Sequence, residues 1–313
     1  MGHQAGAVID LDLDLRLQVL QAKLAVSPLT KINDPELTNR QLELWIKRDD
    51  LLHPIISGNK WRKLKYILNQ ALHNGADSIV SMGGAYSNHL HALAFTGKAL
   101  GLKTIGYIRG ERPTQLNATL HDLLDWGMEL RFVSRSDYRQ LRDYKGHDSL
   151  PELQAGQYWL PEGGATDLAL QGVAELVDEI DVGFDTLAVA CGTGTTLAGL
   201  LTSPLNQQAI GVAALKGGDF LINDVEQLLN KQGMNSHADC RILVDYHFGG
   251  FAKTTPALLA FMQDFQRQHG IELEPIYTGK LLFALYDLIR KGYFPAGQRI
   301  VAIHTGGLHG KRK

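Results

Sequence analysis

The sequence predicts an α/β fold of two wound domains with mainly parallel sheets. Short runs rich in β-branched and apolar residues alternate with amphipathic helices, which is the pattern of a parallel sheet covered by helices on both faces. Glycines and hydroxyl side chains cluster directly after four of the strands, where wound sheets bind their ligands. With 313 residues, 44% of them hydrophobic and 20% charged, the chain is long enough for two cores.

Eight strands and six helices follow from these patterns in chain order. The predicted strands are 78–81, 103–108, 130–133, 157–160, 186–190, 209–213, 241–244 and 299–303. The predicted helices show apolar residues three or four positions apart. They are 88–100, 166–179, 220–231, 255–269, 279–291 and a helix that begins near Thr195.

The strands fall into two sets, so we predict two α/β domains. The stretch 134–156 is dense in Asp, Arg and Gln and poor in β-branched residues. We therefore predict that one sheet ends there. The predicted large domain comprises residues 1–57 and 157–313, and the predicted small domain comprises residues 58–156.

Composition excludes several classes of partner. The 31 basic and 33 acidic side chains give a net charge of −2, which provides no field that attracts nucleic acid or an anionic membrane. Cys191 and Cys240 are too few for a disulfide framework, and no apolar run approaches the roughly 20 residues of a spanning helix. Residues 9–20 alternate leucines with charges, unlike a signal peptide. We expect a cytoplasmic protein with no nucleic-acid or membrane partner.

A further helix begins within the segment SGNKWRKL, residues 57–64. Trp61 and Leu64 begin an apolar face that continues along this helix. Ser57 or Asn59 is expected to cap the first-turn amides behind a tight turn.

Two lysines, Lys60 and Lys63, lie three positions apart at the start of this helix and therefore share a face. Two cations at a helix N-terminus oppose the macrodipole, so an anion or a carbonyl group is expected beside them. The alternative is that both lysines are solvated surface charge.

Four predicted strands end in clusters of glycine and polar residues. The clusters read SMGGAYSNH (81–89), PEGGAT (161–166), CGTGTT (191–196) and HTGGL (304–308). A single glycine pair after a strand is ordinary turn chemistry. Four clusters indicate a shared cleft at the carboxyl ends of the strands.

The CGTGTT cluster has the features of a phosphate site. Its successive amides, with the hydroxyls of Thr193, Thr195 and Thr196, can hold a phosphate at a helix N-terminus. Leu197 stands where a dinucleotide fingerprint needs its third glycine, and the chain has no Gly-Lys-Ser/Thr of a Walker loop. A phosphate monoester is therefore favoured over NAD or ATP. An ordinary turn with no ligand is the alternative.

Six ordered motifs carry a resemblance to a known family. They are SGNKWRKLKYIL, GGAYSNHLHALA, PEGGATDLALQG, ACGTGTTLAGL, PIYTGKLLFALYDLI and IHTGG. Together they resemble pyridoxal-phosphate (PLP) enzymes of the tryptophan synthase β-like fold, fold type II. More narrowly, the chain is similar to the 1-aminocyclopropane-1-carboxylate (ACC) deaminase/D-cysteine desulfhydrase family, from about Lys47 to Gly307. The resemblance implies a PLP-binding large domain, a small amino-acid substrate and a homodimer.

The resemblance also implies roles for individual residues. Lys60 is expected to bind the cofactor covalently, and burial with neighbouring positive charge would lower its pKa so that the amine is a nucleophile. Lys63 is expected to reach the phosphate. The rest of the phosphate site would be Gly192, Thr193, Gly194, Thr195 and Thr196.

Asn88 is expected to bind the pyridoxal ring hydroxyl, and Ser87 and His89 the substrate carboxylate. Tyr277 would lie beside the cofactor as an acid/base or positioning group. His89 and His91 are two positions apart and point to different sides of a helix, so no metal site is predicted.

Thr278 distinguishes two activities within the family. ACC deaminases usually have Glu here, paired with the pyridine nitrogen, whereas desulfhydrase-like members have Thr and tend to carry HTGG. We therefore expect Thr305 to be the pyridine-nitrogen partner, with Thr278 as the second choice. A neutral hydroxyl gives a weaker electron sink than a carboxylate, which favours β-elimination from D-cysteine over cyclopropane opening.

Phe251 appears where the family generally has a catalytic-site tyrosine, with Tyr246 and His247 as nearby substitutes. The loss of a phenolic hydroxyl keeps open a homologue that binds PLP without turnover. A nicotinamide-dependent oxidoreductase is the other alternative, and Leu197 argues against it.

Overall fold

A computed structural model describes residues 12–203, 207–231, 233 and 239–308. Its strands are β1 (Leu29–Lys31), β2 (Glu43–Lys47), β3 (Ser78–Gly83), β4 (Lys103–Arg109), β5 (Met128–Val133), β6 (Gln157–Leu160), β7 (Thr186–Cys191), β8 (Gln208–Ala213), β9 (Cys240–Leu243) and β10 (Arg299–Ile303). Its α-helices are α1 (Leu15–Gln21), α2 (Pro35–Asn39), α3 (Asn59–His73), α4 (Asn88–Leu100), α5 (Ala118–Asp125), α6 (Arg135–Leu141), α7 (Asp167–Asp178), α8 (Thr195–Leu201), α9 (Phe220–Lys231), α10 (Pro256–His269) and α11 (Thr278–Arg290).

The strands form two sheets, as predicted. One sheet has six strands in the order β1-β2-β10-β7-β8-β9, and the other has four in the order β5-β4-β3-β6. Only β1 and β2 pair antiparallel within the described residues; the other neighbours are parallel. In the described part of the chain, none of the helices combines the length and apolar character that crossing a bilayer demands.

All eight predicted strands are present, with ends within two residues of those expected, and the predicted helices are present as well. The sequence analysis missed short elements, because few residues give no clear period. Strand β1 has three residues, and β2 begins and ends with charged residues. The side chain of Glu43 at the start of β2 accepts hydrogen bonds from Lys31 and Arg299.

The predicted end of a sheet within 134–156 is wrong. Strand β6 follows this stretch and pairs with β3, so the four-stranded sheet takes in residues that we assigned to the large domain. The polar composition belongs to α6 and to loops outside the sheet. Helix α1 also crosses the predicted division, because Leu17 and Leu20 lie in the core beside the four-stranded sheet. The division into two domains remains a prediction.

Helices α3 and α7 pack closely enough to require a glycine. A Cβ built on Gly172 of α7 would lie 2.0 Å from the main-chain oxygen of Arg62 in α3. The Arg62 guanidinium binds Asp49 at 2.7 Å and Glu179 at 2.7 Å, so it fastens α3 to the chain before it and to the residue after α7. Both contacts fix the start of α3, where Lys60 lies.

Replacement of Gly172 by Ala tests this packing. We expect Gly172→Ala to lower the free energy of unfolding by about 2 kcal/mol, because the collision is with backbone and outweighs the gain in helix propensity. Urea denaturation measures the change. Gln171→Ala, one position away, is the control and should change stability by no more than about 0.5 kcal/mol. Equal effects of the two substitutions would contradict the packing argument.

Candidate active site

Helix α3 begins at a glycine whose backbone only glycine adopts readily. Gly58 is the N-cap residue with φ 68° and ψ −155°, and no side chain caps the first turn. The predicted cap by Ser57 or Asn59 is therefore wrong. A Cβ on Gly58 would lie 1.9 Å from the main-chain oxygen of Thr305. This close approach brings the start of α3 against the HTGG cluster.

The side chain of Asn59 joins two predicted site residues instead of capping the helix. Its Oδ1 accepts a hydrogen bond from Lys60 Nζ at 2.6 Å, and its Nδ2 donates to Thr196 Oγ1 at 2.8 Å. Lys60 is thereby held beside the CGTGTT cluster.

Both lysines have lowered pKa values because they are buried. Burial lowers the pKa of Lys60 to about 8, and the Glu274 carboxylate opposes this shift. Burial and the nearby charge of Lys60 lower the pKa of Lys63 to about 7. Lys63 is 6% exposed, and none of the described residues gives it a hydrogen bond or a carboxylate. Burial therefore increases the neutral, nucleophilic fraction of the Lys60 amine, and the site favours an anion beside Lys63.

The loop Gly192–Thr196 joins β7 to α8 and lies against Tyr277 and the PEGGAT cluster. Gly194 has φ 71°, and the hydroxyls of Thr193 and Thr195 lie 2.8 Å apart. A Cβ on Gly192 would lie 3.1 Å from the hydroxyl oxygen of Tyr277, so the phenol ring rests on this glycine. A Cβ on Gly163, in the PEGGAT cluster, would lie 3.3 Å from Thr193 Cγ2. Three of the four predicted clusters thus surround one cleft.

The fourth cluster supplies the start of α4. Ser87 is the N-cap residue, and its hydroxyl accepts a hydrogen bond from the amide of Leu90 at 3.2 Å. The Nδ2 atom of Asn88 would be 2.8 Å from a Cβ on Gly307, which places it against the HTGG cluster. Asn88, the predicted partner of the ring hydroxyl, therefore lies beside the same cluster as Thr305, and Ser87 precedes it at the start of α4.

His89 has the wrong protonation state for its predicted role. The Ser81 hydroxyl donates to the Leu160 carbonyl at 2.7 Å, so His89 Nε2, 2.9 Å from that hydroxyl, must donate to it. Burial, aided by the charges of Lys60 and Lys63, lowers the His89 pKa to about 3. The Nδ1 atom has no partner among the described residues. A neutral imidazole with an unprotonated Nδ1 accepts a hydrogen bond there, which argues against carboxylate binding.

His91 takes no part in the cleft. Its Nε2 lies 2.8 Å from the Asp122 carboxylate, on the other side of α4. Within the described ranges, the structure has no group of three or more His, Cys, Asp or Glu side chains that could hold a metal ion.

A buried carboxylate, which the sequence analysis missed, organises the start of α11. Glu274 accepts hydrogen bonds from the amides of Ile276, Tyr277 and Thr278 at 2.6 to 2.7 Å. Burial raises the pKa of Glu274, and these amides oppose the shift. An acidic residue just before a predicted helix was the available signal, since carboxylates cap first-turn amides.

The cap by Glu274 also fixes the positions of Tyr277 and Thr278, whose amides donate to it. Burial, with Glu274 and Glu162 nearby, raises the pKa of Tyr277, so its phenol stays protonated at neutral pH. The Thr278 hydroxyl accepts a hydrogen bond from the amide of Glu274 at 2.9 Å and is fully buried. The Thr305 side chain is 8% exposed, and its hydroxyl has no partner within the described residues.

The substitutes considered for a catalytic tyrosine are held by other groups. The Tyr246 hydroxyl donates to Asp287 at 2.5 Å, and His247 Nδ1 accepts from the amide of Gly249 at 2.9 Å. The Phe251 ring lies nearest to the site, with its centroid 6.2 Å from that of Tyr277.

The donor set of this cleft suits pyridoxal phosphate. Lys63 and the threonine loop match the phosphate, the unpartnered Thr305 hydroxyl matches the pyridine nitrogen, and Lys60 matches the aldehyde. Fold and site together define a pyridoxal-phosphate-dependent enzyme.

Comparison with known proteins agrees. Residues 22–306 match the family model described as pyridoxal-phosphate dependent enzyme, and the chain belongs to this family. Its cofactor is pyridoxal phosphate.

The relatives are named after both activities of the family that the sequence resembles, ACC deaminase and D-cysteine desulfhydrase. A protein of Pyrococcus horikoshii named putative 1-aminocyclopropane-1-carboxylate deaminase is 34% identical, over 86% of this chain and 85% of the relative. The bifunctional D-cysteine desulfhydrase/1-aminocyclopropane-1-carboxylate deaminase of Arabidopsis thaliana mitochondria is 30% identical, over 91% and 77%. The crystal structure of an ACC deaminase homologue superposes with a TM-score of 0.77, at 28% identity, over 96% and 97%. The predicted fold type is confirmed.

The buried charge of Lys63 gives the protein a distinctive pH dependence when pyridoxal phosphate is removed. Below about pH 7 both folded and unfolded chains carry the proton, so the cost of burying the charge is fully present. As the pH rises toward 10.5, the ordinary value, the folded form loses its proton first and the cost disappears. Lys63→Met should therefore unfold less readily than wild type at about pH 6, by a few kcal/mol in order of magnitude.

This advantage should vanish toward about pH 10. Urea denaturation of both proteins across this range measures it. Lys103→Met, at an exposed lysine, is the control and should show no such trend. A Lys63→Met advantage that stays constant with pH would refute a buried, uncompensated ammonium. With cofactor restored, the same variant should bind pyridoxal phosphate more weakly than wild type, because one phosphate partner is gone.

Proposed function

We propose that the protein is a lyase or deaminase of small amino acids, and that its first substrate is D-cysteine, converted with water to pyruvate, ammonia and sulfide. The observation that supports this proposal is the difference in hydrogen bonding between Thr305 and Thr278. The hydroxyl of Thr305 is free to face the pyridine nitrogen, whereas Thr278 is bound to Glu274 and no carboxylate side chain stands at either position. A hydroxyl partner favours loss of a β-substituent over chemistry that needs a fully protonated ring.

Pyridoxal phosphate, when bound, supplies the electron sink that acidifies the substrate Cα–H. The chain supplies attachment, orientation and proton transfer. Lys60 Nζ, lowered in pKa and held by Asn59, is the group that takes the proton from Cα. The protonated phenol of Tyr277 is suited to donate a proton to the departing sulfur.

The other assignments follow the contacts of the cleft. Lys63 and the loop Gly192–Thr196 hold the phosphate, and Asn88 binds the ring hydroxyl. Ser87 and the amides at the start of α4 bind the substrate carboxylate, with the positive end of the helix supporting them. Ser87 is therefore preferred over His89, whose Nδ1 is an acceptor. Thr278 acts through Glu274 and the first turn of α11.

ACC deamination is the second candidate. It is supported by the three relatives from Pyrococcus species, 32 to 34% identical, that are named putative 1-aminocyclopropane-1-carboxylate deaminase. The D-cysteine desulfhydrase of Serratia proteamaculans is 29% identical, so the comparisons favour neither activity. A homologue that binds cofactor without turnover remains the third candidate because of Phe251.

We also propose a cytoplasmic homodimer whose pyridoxal phosphate is held by the large domain. The composition supports a compartment without disulfides, and the family resemblance supports the dimer. Sedimentation of the purified protein measures the oligomeric state.

Loss of the Lys60 amine should remove the visible absorbance of lysine-bound cofactor. We expect Lys60→Ala to be colourless after dialysis, because Lys63, the other buried amine at the start of α3, is assigned to the phosphate and not to the aldehyde. Absorbance spectra of purified wild type and variant measure this. Lys65→Ala, in the same helix but paired with Glu175, is the control and should stay yellow. A Lys60→Ala protein with an unchanged spectrum would remove Lys60 from the mechanism.

A substrate screen separates the three candidate activities. We expect pyruvate from D-cysteine and from D-serine derivatives at a kcat/KM at least about tenfold above that for 2-oxobutanoate formation from ACC. Efficient opening of ACC would show that a hydroxyl partner suffices for that reaction and would favour the second candidate. Binding of pyridoxal phosphate with turnover of no D- or L-amino acid would favour the third.

A further inference from the structure

Lys280 is a buried cation with an unusual set of partners. It is fully buried in α11, and its Nζ donates three hydrogen bonds, all to main-chain carbonyls. The acceptors are Ala214 at 3.0 Å, His247 at 2.9 Å and Gly250 at 2.9 Å. Burial lowers its pKa to about 8, and the Glu274 carboxylate opposes the shift. Charge-assisted bonds of this kind are stronger than neutral ones.

Two of these acceptors lie in a segment with a rarely adopted backbone. Phe248 has φ 53° and Ala252 has φ 56°, and between them Gly249 and Gly250 have φ 97° and 124°. Residues with a Cβ keep such values only where surrounding contacts enforce them. Lys280 supplies two of those contacts, at the carbonyls of His247, which precedes Phe248, and of Gly250, within the segment.

The same segment carries Phe251 to the edge of the cleft. Phe251 is 46% exposed, and its ring lies edge-on to the Tyr277 ring with 6.2 Å between the ring centroids. Lys280 and Tyr277 belong to the first turn of α11, three residues apart. One turn of helix therefore carries both the site phenol and the lysine that fastens the Phe251 segment.

We propose that Lys280 is a positioning residue that holds residues 247–252 on α11, and that Phe251 thereby limits the size of the substrate side chain beside Tyr277. The proposal rests on the proposed function in so far as the pocket accepts amino acids. Lys280 itself touches neither substrate nor cofactor.

The positioning is tested first without substrate, by hydrogen exchange in the purified holoenzyme. Lys280→Met keeps the aliphatic stem and removes all three donors, and we expect amides 247–252 to exchange at least about tenfold faster. Lys280→Gln keeps two donors and should give a smaller increase, which also guards against misfolding of the Met variant.

Lys47→Met is the matched control. Lys47 is also almost fully buried. Its Nζ donates to the main-chain carbonyl of Ser27 at 2.6 Å and pairs with Glu179 at 2.8 Å, and it lies far from this segment in the sheet order. It should leave exchange at 247–252 unchanged. Unchanged exchange in Lys280→Met, or an equal rise in Lys47→Met, overturns the proposal.

The size limit is tested with D-alanine and D-phenylalanine, which lack a β-leaving group and report binding through the cofactor absorbance. Wild type should prefer D-alanine. Lys280→Met and Phe251→Ala should each reduce this preference about tenfold, and the double variant should reduce it by no more than about a further twofold. Unaltered preference in Lys280→Met, or fully additive effects, overturns the proposal.

These experiments test the role of Lys280 separately from the proposed desulfhydrase activity. Failure of wild type to release pyruvate from D-cysteine ends the desulfhydrase assignment. Hydrogen exchange and the D-amino-acid preference still decide the role of Lys280, because neither depends on turnover.

Discussion

The close approach of two main chains, at Gly58 and Thr305, is the constraint on which the cleft depends. The contact leaves no room for a side chain, and it is reached only because Gly58 has a positive φ. It sets the start of α3 against the chain that follows β10, and so brings Lys60 and Thr305, far apart in sequence, to the same cleft. The Arg62 ion pairs and the glycine contact between α3 and α7 keep that arrangement from relaxing.

Electrostatics within the cleft favour the holoenzyme. Two lysines share the first turn of α3 at a positive helix end, and burial depresses both pKa values. In the proposed assignment, a phosphate beside Lys63 turns this cost into a favourable interaction, while Lys60 keeps its lowered pKa. Glu274 contributes a negative charge to the site. Its carboxylate caps the first turn of α11 and partly offsets the lowering of the pKa values of Lys60 and Lys280 by burial.

Much of the fold was predictable because long, periodic elements dominate it. The four glycine clusters also indicated the cleft, since parallel strands end at one edge. What escaped prediction depends on tertiary contacts. The return of the chain to β3 through β6 follows a polar stretch that resembles the end of a domain. Asn59 binds Thr196, 137 positions away, and Lys280 binds carbonyls 30 to 66 positions away, so no local pattern reveals their roles. The unprotonated Nδ1 of His89 likewise follows from a carbonyl on a neighbouring strand.

The Lys280 bonds have a consequence for divergence among related enzymes. Because every acceptor is a main-chain carbonyl, the hydrogen bonds of Lys280 do not depend on which side chains the turn carries. Positions 248 and 251 can exchange one aromatic or aliphatic group for another while these hydrogen bonds persist. Related enzymes can therefore change the size of their substrate pocket by single substitutions in this turn, while the backbone that positions the catalytic residues stays the same.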